Sequence, residues 1–592
     1  MVVNLFAVTS RTRQMWMSDI SHVEFEQNAG PDARNRLVSR GTLFDCGRNE
    51  GANREKKVKK DIYLKNKASQ LTTGQIDRRS FIMSSLAAGV TLPAAMSMAD
   101  MAMAQTPKSG GLFRAGMAYG STTDSLDPAT FENGMMTMVG YTYGNTLTEI
   151  AADGSLIPEL AESYEPSNGG ATWAFNLRRG VEFHNGKTLT ADDVLATYAY
   201  HMGEDSTSAA KGLLSAITGV RKEGDYQVIF DLESPNADFP FIVSDYHLLI
   251  LPAENGEVDP NSGIGTGGYV MSEFDPGVRL RSTRNPNYFK EGAAHFDELE
   301  LISIIDVTAR QNALMNGDVD TISRIDPKTV NLLARAPNLD ILETTGTLHY
   351  TFPMRLDTAP FDNYDLRMAL KLSLKRQELV DKILLGHGAV GNDHPISTAN
   401  RFHASDLPQR EFDPELAAHH YKKSGHSGPI QLSSSDAAFA GAVDAAQLIA
   451  ASAAEAGIDV EVVREPSDVY WPNVWNKKGW CACYWGGRPT EDWMFASAYV
   501  EDTEWNDTAW RNTEAADQFN ALVKDGRSEL DDTKRATIYA ECQRLINDDG
   551  GAIVAMFANY IMGLGKGLTH GENVAANWDL DGLKAHERWW FS

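Results

Sequence analysis

Seven aromatic residues, Tyr470, Trp471, Trp475, Trp480, Tyr484, Trp485 and Trp493, fall within 24 positions. Such a density can line a large cleft with apolar and stacking surface. Alternation along the strand expected near Trp480 to Trp485 sends about half of these rings into a core. Tyr484 or Trp485, together with Trp471, is then expected on a cleft wall. The same stretch turns at Gly486-Gly487, where backbone can approach a bound molecule closely, and continues into Arg488. A guanidinium presented there takes a carboxylate or phosphate, best through paired hydrogen bonds. Glu491 and Asp492 offer the competing outcome, a structural ion pair that spends Arg488 inside the protein.

Other chemistries find less support. Cys481 and Cys483 share one face of a strand and lack further metal ligands at a defined spacing; a disulfide to Cys542 and buried free thiols are both compatible with the pattern. His419, His420 and His426 cluster, but neighbouring positions on a helix do not converge on one ion, so a surface helix is expected. The sequence contains no Gly-x-Ser-x-Gly, no His-Glu-x-x-His and no phosphate-cradling glycine loop. No catalytic residue, metal or cofactor is expected, and an exported hydrolase is the competing functional class.

The chain has 592 residues and a formal net charge of −26, which argues against nucleic acid or an anionic membrane as partner. That charge is unevenly spread. Residues 1–104 carry 15 basic and 10 acidic side chains, so residues 105–592 hold 39 and 70 and a net charge of −31. The sign change marks a removable leader. Asp77-Arg78-Arg79-Ser80-Phe81 opens an uncharged stretch that runs to Ala99, and Ala102-Met103-Ala104 suits a signal peptidase. This resembles a twin-arginine export signal over residues 64–104, with Gln105 as the mature start and the periplasm as destination. Residues 1–63 fit no targeting class and read as an extension from a misplaced start codon.

Strands and helices alternate without a repeated period from Gln105 onward. Strands are expected at 111–118, 172–177, 227–232, 268–274 and 299–305, and helices at 191–201, 307–316, 365–385, 439–456, 515–524 and 532–547, each with its apolar period. Thr190 and Asp193 form the ends of a capping-box variant. Residues 429–463 read as a strand, a helix and a parallel strand.

Ordered landmarks then carry a resemblance. They include Leu156 to Tyr164, Trp173 to Lys187 and Thr190 to Val194, followed by Gly265 to Tyr269, Arg284 to Tyr288, Ala313 to Asp320 and Asp365 to Leu370. In that order they resemble the extracellular solute-binding proteins of family 5, the oligopeptide, dipeptide and nickel-binding group of ABC importers. The resemblance implies an α/β, two-lobed periplasmic-binding-protein (Venus-flytrap) fold with an accessory third domain. Lobe I would comprise residues 105–147, 256–348 and 557–592, the accessory domain 148–255 and lobe II 349–556. It also implies a monomeric, non-catalytic receptor that captures a small solute or short peptide and hands it to permease and ATPase subunits.

The resemblance sharpens the site as well. Peptide-binding relatives place an aspartate, partner of the peptide ammonium, where this chain has Arg488. A peptide-like or other organic solute with an acidic group is therefore expected, with an ordinary peptide receptor as the alternative. Expected ligand contacts are Arg488, Gly487, Tyr484, Trp485, Trp471 and Asp492 from lobe II. Tyr119, Ser121 and Thr122 come from the loop after the first strand, and His349 and Tyr350 from the hinge side. Arg355 is a further arginine that could face the cleft, and Lys375, where relatives have an aspartate before the residue matching Arg376, is expected to be surface or helix-cap variation.

Overall fold

The computed structural model describes residues 107–466 and 469–592, with residues 76–88 and scattered positions between 63 and 98. The chain divides into two units, residues 1–106 and 107–592. In the first, the twin arginines open the helix Arg78–Ala87, capped by Asp77, which accepts the Ser80 N–H at 2.7 Å. The expected cleavage site at Ala102 to Gln105 and nearly all of the doubtful extension lie outside the described residues. No helix among the described residues is long and apolar enough to cross a membrane.

The second unit is organised around a nine-stranded mixed sheet. Leu112–Met117 lies at its middle, parallel to Glu298–Ser303 on one side and to Thr321–Ile322 on the other. Val554–Gly565 and Leu339–Thr351 follow as a long antiparallel pair, and Cys483–Trp485 pairs outside Leu339–Thr351. The register of the long pair breaks between Thr345 and His349, a local irregularity that re-aims side chains and raises twist. Thr347 sits inside that break.

Separate cores pack around this frame. Phe113, Met138, Tyr143, Leu301, Met562 and Trp589 belong to one. Residues 161–232 form a four-stranded antiparallel sheet over a second, with Phe175 edge-on to Phe230 and Phe239, and Tyr198 edge-on to Phe230. Two more are gathered mostly from residues 352–558.

Local sequence logic accounts for many element ends. Asp193 accepts the Thr190 N–H at 2.9 Å and starts the helix Ala191–Met202. Ile430–Ser434 and Val460–Arg464 pair in parallel around the helix Ala442–Glu455. The helix expected over 365–385 is instead two, Tyr364–Leu372 and Arg376–Ile383. Tertiary demand divides it: Lys371 donates to the carbonyls of Ile546, Asn547 and Gly550, while Arg376 turns inward to Asp393 at 2.7 Å. Arg376 is thus buried in an ion pair, while Lys375, which stands where relatives have an aspartate, is the partly exposed N-cap residue of the second helix, as expected of cap variation.

A second buried charge cluster joins distant segments. Glu149, Glu159 and Glu587 are the one described trio of carboxylates close enough to share an ion. Lys290, Lys584 and Arg588 already neutralise them, with Lys290 to Glu587 at 2.8 Å and Arg588 to Glu149 at 2.6 Å. Buried carboxylates demand such partners, since desolvation of an unpaired charge costs far more than one hydrogen bond returns.

Candidate functional site

The strand Cys483–Trp485 delivers the chain into a glycine turn that ends at Arg488. Gly487 is required there by packing: a Cβ on it would overlap Thr347 Oγ1 and Cβ. The turn therefore rests directly on the register break of the long strand pair. Beyond Arg488, Thr490 Oγ1 accepts the Trp493 N–H and caps the helix Glu491–Ala498.

Two cavities open on either side of this turn, of about 390 and 420 Å³. Ile150, Phe241, Thr347, Arg488, Pro489 and Asn577 line both. The first adds Asp153, Asp238, Arg401, Thr490, Glu491 and Glu572, and is the more charged. The second adds Tyr141, Tyr246, Trp493, Trp505 and Trp578, and is the more aromatic.

Arg488 is half-buried, and its guanidinium makes two hydrogen bonds, from Nη1 to the carbonyls of Gly486 (3.1 Å) and Gly487 (3.4 Å). Among the described residues no carboxylate comes within ion-pair distance of it. Burial lowers its pKa from the ordinary value, opposed by the nearby Tyr246 hydroxyl. The structural pair expected as an alternative does not form, because both carboxylates are engaged elsewhere. Glu491 accepts the Phe402 N–H at 2.6 Å, and Asp492 is bound by Arg527 at 3.0 Å. Burial raises Glu491 to about 7 and Asp492 to about 6. Nε and Nη2 of Arg488 keep donors free for a guest.

The structure distributes the other expected contacts widely. Arg488 and Gly487 are on cavity walls. Tyr484 and Trp471 are 44% and 36% exposed and meet edge to face at 5.7 Å, outside the lining of either cavity. Trp485 is a correction: strand alternation turns it inward, where its indole donates to Asp507 at 3.2 Å, and Trp475 donates to the same oxygen at 3.1 Å. His349 is likewise fully buried, with Nδ1 on the Thr347 carbonyl, and burial takes it down to about 4. Tyr350 stacks on Phe439 at 4.1 Å, and Asp492 lies behind the wall on Arg527.

Tyr119 donates to Asp579 at 2.9 Å under the Arg324 guanidinium, 4.6 Å above its ring. Ser121 and Thr122 pack against the turn at Gly277, where a Cβ would meet their backbone. None of these three lines either cavity. Arg355 is held by Asp357 at 2.7 Å and by the Asn476 carbonyl at 3.1 Å, so it does not supply a cleft cation. Cys481, Cys483 and Cys542 are free and buried, which closes the disulfide alternative in this structure.

Sequence reasoning missed Asp238, Phe241, Tyr246, Thr347, Trp505, Asn577 and Trp578. They come from segments between 150 and 578 that only the tertiary fold brings together, and no local motif marks them. One usable signal was Asp238 itself, an acidic residue between apolar Ala237 and Phe239-Pro240-Phe241.

This sheet arrangement is the two-lobed periplasmic-binding-protein fold with an accessory domain. The same architecture is found in AgaA of A.tumefacien R10, solved in complex with agropinic acid, with a TM-score of 0.64 at 22% identity over 81% of this chain and 99% of that one. Residues 155–507 match the bacterial extracellular solute-binding proteins, family 5 Middle, and the chain belongs to that family. It is 26% identical over 328 residues to Di/tripeptide-binding protein 1 of Pseudomonas aeruginosa (strain UCBPP-PA14), covering 51% of this chain and 61% of the relative. It is 28% identical over 272 residues to Oligopeptide-binding protein AppA of Bacillus subtilis (strain 168), covering 44% and 49%. The matched stretch thus spans roughly half to three-fifths of these two relatives.

Proposed function

We propose that the protein is the periplasmic solute receptor of an ABC importer and captures an organic acid, peptide-like or otherwise, whose anionic group is held by Arg488. The observation that carries this reading is the Arg488 guanidinium, half-buried, without an ion-pair carboxylate among the described residues and lining both cavities. A cation in that position has lost part of its hydration without gaining a counter-ion, and an anionic guest supplies one. Family membership and the fold support a binding role without catalysis, and the acid named for AgaA fits the same chemistry.

Residues 105–147, 256–348 and 557–592 act in this reading as one lobe, 349–556 as the other and 148–255 as the accessory domain. Closure on the solute is favoured by whatever extra contacts the closed form makes with it. The protein works as an exported monomer, with a twin-arginine leader directing it, and permease and ATPase subunits receive the solute. Native mass spectrometry of the purified chain, followed by identification of the released solute, tests the reading. An acid is the expected finding, with its binding weakened in Arg488→Ala; a neutral or purely cationic solute overturns it.

A further inference from the structure

The first cavity contains a second polar feature that capture of an acid does not use. Asp238 is 4% exposed and lines this cavity. One of its oxygens, Oδ1, takes Nη2 of Arg535 at 2.6 Å, whereas Oδ2 is buried without a hydrogen-bond partner among the described residues. Although Asp238 precedes the short helix Phe239–Ile242, its side chain does not cap that helix. Glu491, also buried, lines the same cavity and spends Oε1 on the Phe402 N–H. Of the other charges nearby, Arg401 is paired with Asp532, Asp153 with the Ser155 backbone and hydroxyl, and Asp492 with Arg527, while Glu572 lines the cavity from an exposed position.

We propose that Asp238, supported by Glu491, forms a cation-accepting subsite, so that the captured solute carries an ammonium or other protonated nitrogen as well as the acid group facing Arg488. The proposal rests on the reading of this cleft as the solute site and narrows its ligand class to zwitterions. A buried carboxylate oxygen with no donor is an expensive arrangement, and an N–H donor from the guest satisfies it. The peptide-binding pattern is thereby inverted: the strand turn offers the cation, and residue 238 offers the anion.

Arg488, Asp238 and Glu491 line one cavity of about 390 Å³, so the cationic and anionic groups face a shared space. The burial that raises Glu491 to about 7 agrees with the subsite, since a bound cation would replace the missing counter-charge.

The test uses the full chain, stripped of co-purifying solute, and a thermal-shift panel of acidic amino acids, dipeptides and γ-glutamyl conjugates. Each compound is offered with its amino group free and with the same group acetylated, and pairs that shift Tm are followed by calorimetry. The expected result is at least tenfold tighter binding of the free amine. That ratio should fall below threefold in both Asp238→Asn and Glu491→Gln, while Arg488→Ala weakens both members of a pair alike. Glu491→Gln keeps the Asp238–Arg535 pair, so a folding defect in Asp238→Asn does not blunt the test. Equal binding of free and acetylated compounds overturns the subsite and leaves the Arg488 reading standing. A panel in which no acid moves Tm overturns both.

Discussion

The Thr347 hydroxyl occupies the space that a Cβ on Gly487 would need. This contact ties the turn bearing Arg488 to the register break of the long strand pair, so wall and frame are one packing unit. Gly487→Ala forces Thr347 and its strand aside, and overpacking of this kind costs about 1–3 kcal/mol. Calorimetry should show a lower Tm, and the variant should bind solute at least about tenfold more weakly, a loss of about 1.4 kcal/mol. Unchanged Tm and affinity would show that the turn relaxes freely.

Arg488→Ala removes the charge-assisted hydrogen bonds expected for an acid guest, each typically worth about 1.5–3 kcal/mol. Acid binding should weaken about 10- to 100-fold. Arg488→Lys should recover only part of this, because an ammonium lacks the planar fork. Titration calorimetry of the three chains with the solute identified by mass spectrometry provides the comparison.

Glu491 gives stability a pH dependence of definite sign. Its folded-state pKa is raised from 4.5 to about 7, mainly by burial, with Asp238 adding to the rise and Arg535 opposing it. The folded state therefore holds this proton more tightly than the unfolded chain does. Its stabilising contribution is fully present below pH 4.5 and is lost progressively as pH rises through 7, by about 3 kcal/mol in total. Glu491→Gln should be flat in this respect, so the variant's Tm minus that of the parent should grow between pH 4.5 and 7 and then level off. A difference independent of pH would contradict the assignment.

Asp507 accepts two indole N–H groups, from Trp475 and Trp485, and burial raises it to about 6. Asp507→Asn retains an acceptor and should cost less than about 1 kcal/mol. Asp507→Ala leaves two donors unpaired in the interior and should cost about 2–4 kcal/mol. Urea unfolding followed by tryptophan fluorescence separates the two variants.

Much of the frame could be read from local pattern. Strands such as Thr172–Leu177 and Gln227–Leu232 and helices such as Val307–Asn316 follow from alternation and apolar period. The helix break after Leu372 could not, because its cause lies about 175 residues away at the carbonyls that hold Lys371. The site divides in the same manner. The Gly486-Gly487-Arg488 turn is a contiguous signal, whereas Asp238, Thr347 and Asn577 become neighbours only through the chain's long-range path. Trp485 shows the limit of composition: its ring type favoured a wall, but the strand's two-residue period decided its direction and sent it to Asp507.

The buried charge cluster also has a temporal meaning. Glu159 waits for Lys584, 425 positions later, and Glu149 for Arg588, 439 positions later. Until the ribosome has delivered those residues, Glu149 lacks two of its three cationic partners and Glu159 one of its two, and the core around them cannot seal. This region can therefore complete its folding only once residue 588 is available, so no shorter nascent chain can close the cluster.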